Sequence, residues 1–178
     1  MPPKQLRTCE SVPEPGLRPF SHNTSTRMVR SIEASDTDAW AAMRGRLWPN
    51  AGTADLAREA RTFLNGCPVP TLTAVFVAED GSTLLGFLEL ALRAFSDGCD
   101  SMPVPHVEGW YVEPFARRRG FGRALMRKAE IWAGTHGYSE LASDTELANE
   151  ASLHAHLRCG FDETERLIKF RKSLIASS

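Results

Sequence analysis

The chain has 178 residues, of which 42% are hydrophobic and 24% charged, the proportions of one ordinary globular domain able to bury a core without disulfides or a structural metal. Twenty-one basic against 22 acidic residues leave a formal net charge of −1, which argues against a nucleic-acid coat or a polybasic membrane anchor. No apolar run approaches the roughly 18 residues of a membrane span, and the first residues lack the apolar stretch of a secretory signal, so a soluble, cytoplasmic protein is expected.

Five prolines crowd the first 19 residues, and no apolar periodicity follows before Met28. Residues 1–27 are therefore expected to be a flexible leader, expression-derived or an upstream read-through, ahead of a single domain over residues 28–178. From there the signals alternate. Val29–Glu33 reads as a short strand; Ser35 as the cap of a helix carrying Trp40, Met43 and Leu47 that Pro49 stops. A second helix is expected from Thr53 to Asn65, with Leu56, Ala60, Phe63 and Leu64 on its buried side. Residues 71–95 read as two strands joined at Asp80-Gly81, and residues 104–114 as another strand ended by Pro114. Residues 122–134 form a helical pattern, 140–144 a strand, 149–160 a helix and 165–172 a last strand. This order is that of a mixed α/β (α+β) chain, an antiparallel meander followed by a βαβ crossover that pairs two strands in parallel around the 122–134 helix.

Cys9, Cys67, Cys99 and Cys159 are far apart and make no zinc-ligand spacing with the five histidines, so no metal is expected. The four thiols are expected as small buried hydrophobes rather than nucleophiles.

The most informative stretch is the strand-to-helix junction Val112-Glu113-Pro114-Phe115-Ala116-Arg117-Arg118-Arg119-Gly120-Phe121-Gly122-Arg123. A helix start offers outward N–H groups and the positive end of a dipole, and Gly120 and Gly122 let a pyrophosphate approach the backbone. Arg117, Arg118, Arg119 and Arg123 add positive charge. There is no Gly-Lys-Ser/Thr and no G-x-G-x-x-G, which excludes a Walker A loop and a dinucleotide fingerprint.

This R-x-x-G-x-G junction resembles that of the GNAT superfamily of acyl-CoA-dependent N-acyltransferases. The resemblance implies a mainly antiparallel central sheet with a splayed parallel strand pair, flanked by helices. It implies acetyl-CoA as co-substrate, its pyrophosphate on Arg117, Arg118, Arg119, Gly120, Phe121, Gly122 and Arg123, and its pantetheine arm along the backbone of Trp110, Tyr111 and Val112. Asn149-Glu150-Ala151-Ser152 with His156, Gly160 and Phe161 is similar to the family's later helix and turn. There Asn149 would serve the co-substrate and His156 stands where the family has a tyrosine. Either His156 protonates the departing thiolate, or the thiolate leaves unaided and His156 only packs or binds CoA.

Five short strings (Leu47-Trp48-Pro49, Gly98-Cys99-Asp100-Ser101, Val107-Glu108-Gly109, Ala142-Ser143-Asp144-Thr145 and Gly160–Arg166) are further similar to aminoglycoside 6′-N-acetyltransferases. That resemblance implies acceptor contacts at Trp48, Phe95, Glu108, Asp144 and Glu165, with Phe95 where relatives can carry tyrosine. Separated carboxylates suit a substrate bearing several ammonium groups. The expectation is direct acetyl transfer to a 6′-amine in a ternary complex, antibiotic resistance following from it. Glu108 or Asp144 would take the amine's proton, and backbone N–H near Val112 would hold the oxyanion. The competing readings are a polyamine or protein N-terminus as acceptor, or an acetyl-CoA sensor without catalysis. A homodimer is expected, the last strand, Arg166–Lys172, pairing or exchanging across a two-fold axis; neither nucleic acid nor membrane is expected as a partner.

Overall fold

The computed structural model describes residues 27–174. The leader expected over residues 1–27 lies outside them except for Arg27, which opens β1 (Arg27–Ser31). A 3₁₀ turn at Ala34–Asp36 leads into α1 (Thr37–Leu47), and α2 (Thr53–Leu64) follows. Then come β2 (Ala74–Asp80), β3 (Thr83–Arg93), β4 (Val104–Val112), α3 (Phe121–Thr135), the two-residue β5 (Ala142–Ser143) and α4 (Glu150–Arg158). The five strands form one sheet in chain order, antiparallel except for β4 and β5, which run parallel around α3. The expected mixed α/β architecture and crossover are present.

Both faces of this sheet are covered, which is why β2 reads as the unbroken apolar run Ala-Val-Phe-Val-Ala rather than alternating with polar residues. Phe76 and Ala78 point toward α3 and pack with Leu88, Leu90, Leu125, Met126 and Ala129. Val75 and Val77 point the other way, into a second core with Trp40, Met43, Ala60, Phe87 and Tyr111 under α1 and α2. Two register shifts interrupt the ladders. On β3 the pairing skips Leu85, which therefore turns to the α3 side; on β4 it skips Glu108, Glu89 facing Gly109 while Leu90 faces Val107.

The strand expected over Val29–Glu33 sits two residues earlier. Glu33 instead caps the 3₁₀ turn, its backbone N–H donating to Asp36 at 2.8 Å. Ser35 is thus inside that turn, and Asp36 rather than Ser35 occupies the N-cap of α1. The strand expected over residues 140–144 is reduced to Ala142–Ser143. The one expected over 165–172 is absent: residues 162–174 carry no regular structure and all are exposed. Extended, apolar-containing sequence becomes a strand only where an edge is available to pair with it, and none among the described residues receives that segment. Nor are the thiols buried as expected, Cys67 being exposed and Cys99 and Cys159 partly so. No helix among the described residues is long and apolar enough to cross a membrane.

Candidate active site

The splay of β4 from β5 creates the opening. Parallel pairing ends at Val107–Ser143, while β4 runs on to Val112, leaving the edge of residues 108–112 without a neighbour on that side. At the end of β4 lies the arginine-rich junction. Gly120 forms the N-cap of α3 with φ +92, a left-handed conformation in which glycine carries no side-chain penalty, and Arg118 also has positive φ. A Cβ at Gly120 would meet nothing within 4 Å, so its surface is open to a ligand. Gly122 packs against the Trp110 ring, whose buried Nε1 lacks a hydrogen-bond partner.

The arginines of this loop divide their work. Arg117 donates through Nε to the Val112 carbonyl at 3.0 Å, fixing the strand end, and Arg119 pairs with Asp80 at 2.9 Å. Arg118 makes no ion pair among the described residues, and Arg123 donates to the Arg158 carbonyl at the end of α4. Behind them a groove of about 200 Å³ is lined by Arg123, Arg127, Arg158, Cys159 and Glu130, three cations against one anion. Open backbone at a helix start, an unsatisfied indole N–H and this charge suit a phosphorylated, extended ligand. Tyr111 offers such a ligand only its backbone, because its ring is buried against Phe87 and its hydroxyl donates to Glu113 at 3.0 Å.

His156 lies at the mouth of the splay. Its ring stands edge-on to Trp110 and Phe161, Nδ1 is 2.8 Å from the Ser152 carbonyl, and Nε2 is 2.8 Å from Ser143 Oγ on β5. A carbonyl only accepts, so Nδ1 carries the proton and Nε2 is the nitrogen able to gain one. Asn149 caps α4: its side-chain oxygen accepts the Ser152 N–H at 3.1 Å.

The carboxylates gather on the opposite side of β4. Because the bulge adds one residue, His106, Glu108 and Gly109 all fall on the α1–α2 face, the face to which Arg93 of β3 also points. Arg93 clasps Glu108 with two bonds of 2.8 Å and reaches Asp144 at 3.3 Å. Beneath them His106 is buried, with Nδ1 3.6 Å from Glu108 and Nε2 3.5 Å from Asp144. Burial, then the charge of Arg93, holds this imidazole below its ordinary pKa, so it is neutral near pH 7. Trp48 at the end of α1 lies over Gly109, against Phe87 and the guanidinium of Arg44. Glu108 and Asp144 thus meet at Arg93, and Trp48 lies beside the next residue of β4, Gly109.

Phe95 is exposed, two residues beyond Arg93. Glu165 is exposed in the unpaired tail, whose preceding Thr164 touches Gly98 in the same loop as Phe95. Arg93 and His106 were missed from sequence. The signal available was His-x-Glu along one strand, and only the ladder reveals that Arg93 stands beside it. Burial raises the Cys99 and Cys159 thiols, the opposite of what an acetyl-accepting thiolate requires. No cluster of three metal-ligating side chains occurs among the described residues.

A splayed strand pair with an arginine-lined helix start at one end and carboxylates on the other face of β4 marks a group-transfer enzyme that takes a phosphorylated donor. Residues 38–161 match the Acetyltransferase (GNAT) family, and the chain belongs to it. It is 44% identical over 151 residues to an aminoglycoside N(6′)-acetyltransferase type 1 of Klebsiella aerogenes, covering 84% of this chain and 99% of that one. It is 38% identical to a protein of the same name from Serratia marcescens, over 83% and 99% of the two chains. Among solved structures, AAC(6′)-Iy bound to the bisubstrate analogue CoA-S-monomethyl-acetylneamine superposes with a TM-score of 0.76 at 32% identity, covering 84% of this chain and 99% of that one. AAC(6′)-Ih from Acinetobacter baumannii gives 0.73 at 31% identity over the same shares.

Proposed function

We propose that this acetyltransferase moves the acetyl group of acetyl-CoA to the 6′-amine of aminoglycosides, in a ternary complex and without an acetyl-enzyme. The observation that carries the reading is the meeting of Glu108, Asp144 and Trp48 on one side of β4, beside the slot that opens at the β4–β5 splay. Identity to relatives named for this reaction supports the acceptor.

The open edge of residues 108–112 would pair with the pantetheine arm, the Gly120–Arg123 helix start would hold the pyrophosphate, and the arginine groove between α3 and α4 the remaining phosphate. Glu108, directly or through water, takes the proton of the substrate ammonium, and Asp144 orients a second amine. The free amine attacks the thioester carbon, a β4 backbone N–H near Val112 stabilises the oxyanion, the nitrogen releases its surplus proton to water, and the C–S bond breaks. His156, protonated at Nε2, returns a proton to the thiolate, so the products are an amide and free CoA thiol. Much of the acceleration is positioning. The raised thiols of Cys99 and Cys159 support direct transfer over a thioester intermediate.

Free-thiol release from acetyl-CoA with kanamycin and tobramycin, beside 6′-hydroxyl analogues, spermine and an N-terminal peptide, tests this. Turnover is expected only with the 6′-amines, and Glu108→Gln, Asp144→Asn and His156→Phe should each lower kcat/KM by roughly 10- to 1,000-fold. Activity confined to spermine or peptide would replace the acceptor. CoA binding with no turnover on any amine would make the protein a sensor.

We further infer a homodimer in which the tail completes a sheet edge of the other copy. Its support is the exposure of Leu167, Ile168, Phe170 and Leu174 on a segment with no strand partner among the described residues.

A further inference from the structure

The carboxylates assigned above to the acceptor's ammonium groups already hold a cation. Arg93 makes a two-pronged contact with Glu108, 2.8 Å on each arm, and a longer one of 3.3 Å to Asp144. We propose that Arg93 sets a threshold for acceptor binding, a resident guanidinium that acceptor ammonium groups must displace from Glu108 and Asp144, so that a single ammonium, trading charge for charge, gains no net attraction.

The charges set that threshold. With His106 neutral, Glu108, Asp144 and Arg93 sum to −1; with Arg93 swung aside the pocket stands at −2. A monoamine that replaces Arg93 exchanges one positive charge for one, while a diamine replaces one with two. Only the second exchange neutralises the pocket.

The geometry allows the exchange. Arg93 is the last residue of β3, so its side chain can leave without breaking the ladder. Its side chain is 37% exposed and that of Asp144 63%, so that contact is weak, while Glu108, 23% exposed, holds the stronger two-pronged clasp that an incoming ammonium has to open. The contrast within the same sheet face is the Arg44–Glu89 pair, 4% and 1% exposed and held by its surroundings. Arg93 is therefore placed as an exchangeable counter-ion. The groups facing the pocket are Arg93 from β3, His106 and Glu108 from β4, and Asp144 after β5.

The inference rests on the acceptor reading above, and the test separates the two. Arg93→Met keeps the aliphatic stem and removes the charge. Steady-state kinetics would compare tobramycin with 6-amino-6-deoxyglucose, which offers a single amine. Because both acceptors displace the same guanidinium, both KM values should fall by a similar factor, roughly five- to tenfold, the scale of one partly exposed ion pair. Both KM values should then depend more steeply on salt. Arg93→Lys, still charged, should keep both KM values high, and Arg58→Met, which breaks an exposed pair on α2, should leave them unchanged. KM values that stay unmoved in Arg93→Met, or rise for both acceptors, overturn the proposal by reducing Arg93 to a support for Glu108. An independent arm needs no acceptor: the NMR titration midpoint of His106 should move upward in Arg93→Met, and an unmoved midpoint also overturns the proposal. If the unaltered protein acetylates neither acceptor, the acceptor reading fails, and the His106 midpoint alone decides whether Arg93 governs the charge of this pocket.

Discussion

Glu89 shows how much one buried group adds to this domain. It accepts a hydrogen bond from Trp40 Nε1 at 2.8 Å and lies 2.9 Å from Arg44 Nε, whose guanidinium also reaches the Leu56 carbonyl and Glu59 and sits between the Trp40 and Trp48 rings. Burial nonetheless outweighs the pull of Arg44 and pushes the Glu89 carboxyl up to about 7. The folded chain therefore keeps a proton that the unfolded chain releases near the ordinary value of 4.5. Stability from this group is fully present below pH 4.5 and is lost as pH rises through 7, by roughly 3 kcal/mol in all. Glu89→Gln removes that slope, so its stability relative to the unaltered protein should improve between pH 5 and pH 8. Urea unfolding at both pH values measures it; parallel pH dependences would refute the assignment. The same residues tie Trp48 to the core, and so link stability to the acceptor surface.

At the scale of elements, the bulge in β4 matters more than any helix. One extra residue puts Glu108 and Gly109 side by side on the α1–α2 face, and the absence of a side chain at Gly109 lets Trp48 settle there. A Cβ at Gly109 would stand 2.7 Å from Trp48 Cη2 and 3.2 Å from Phe87 Cε2. Gly109→Ala should therefore push Trp48 off its seat and raise the acceptor KM roughly tenfold, with the acetyl-CoA KM unchanged. Steady-state kinetics with each substrate varied would check this, and equal rises in both constants would place the damage in the strand rather than at Trp48. The brevity of β5 acts at the same scale: pairing that continued past Ser143 would cover the β4 edge of residues 108–112.

For the whole molecule, the open question is what covers the tail. Glu163 pairs with Arg166, and Thr164 anchors the segment against Gly98, but beyond them Ile168, Phe170 and Leu174 face solvent. Removing residues 166–178 should convert the inferred dimer to a monomer in light scattering, and a dimer that survives the truncation would locate the interface elsewhere. Because Glu165 stands at the root of that tail, loss of the dimer should also raise the acceptor KM.

The sequence by itself determined the order of elements, the parallel crossover and the arginine-glycine junction, because each is written in local periodicity, turn residues and glycine placement. Its short strings also singled out Glu108, Asp144 and Trp48. Left to tertiary structure were the facts that depend on neighbours distant in the chain. Arg93 and His106 join the carboxylates only through the β3–β4 register and the β4–β5 pairing. The bulge shows only as a mismatch between two strands. The strand expected at residues 165–172 failed for the same reason. A strand needs a partner edge as well as a β-forming composition, and no periodicity in one segment reports whether that edge exists.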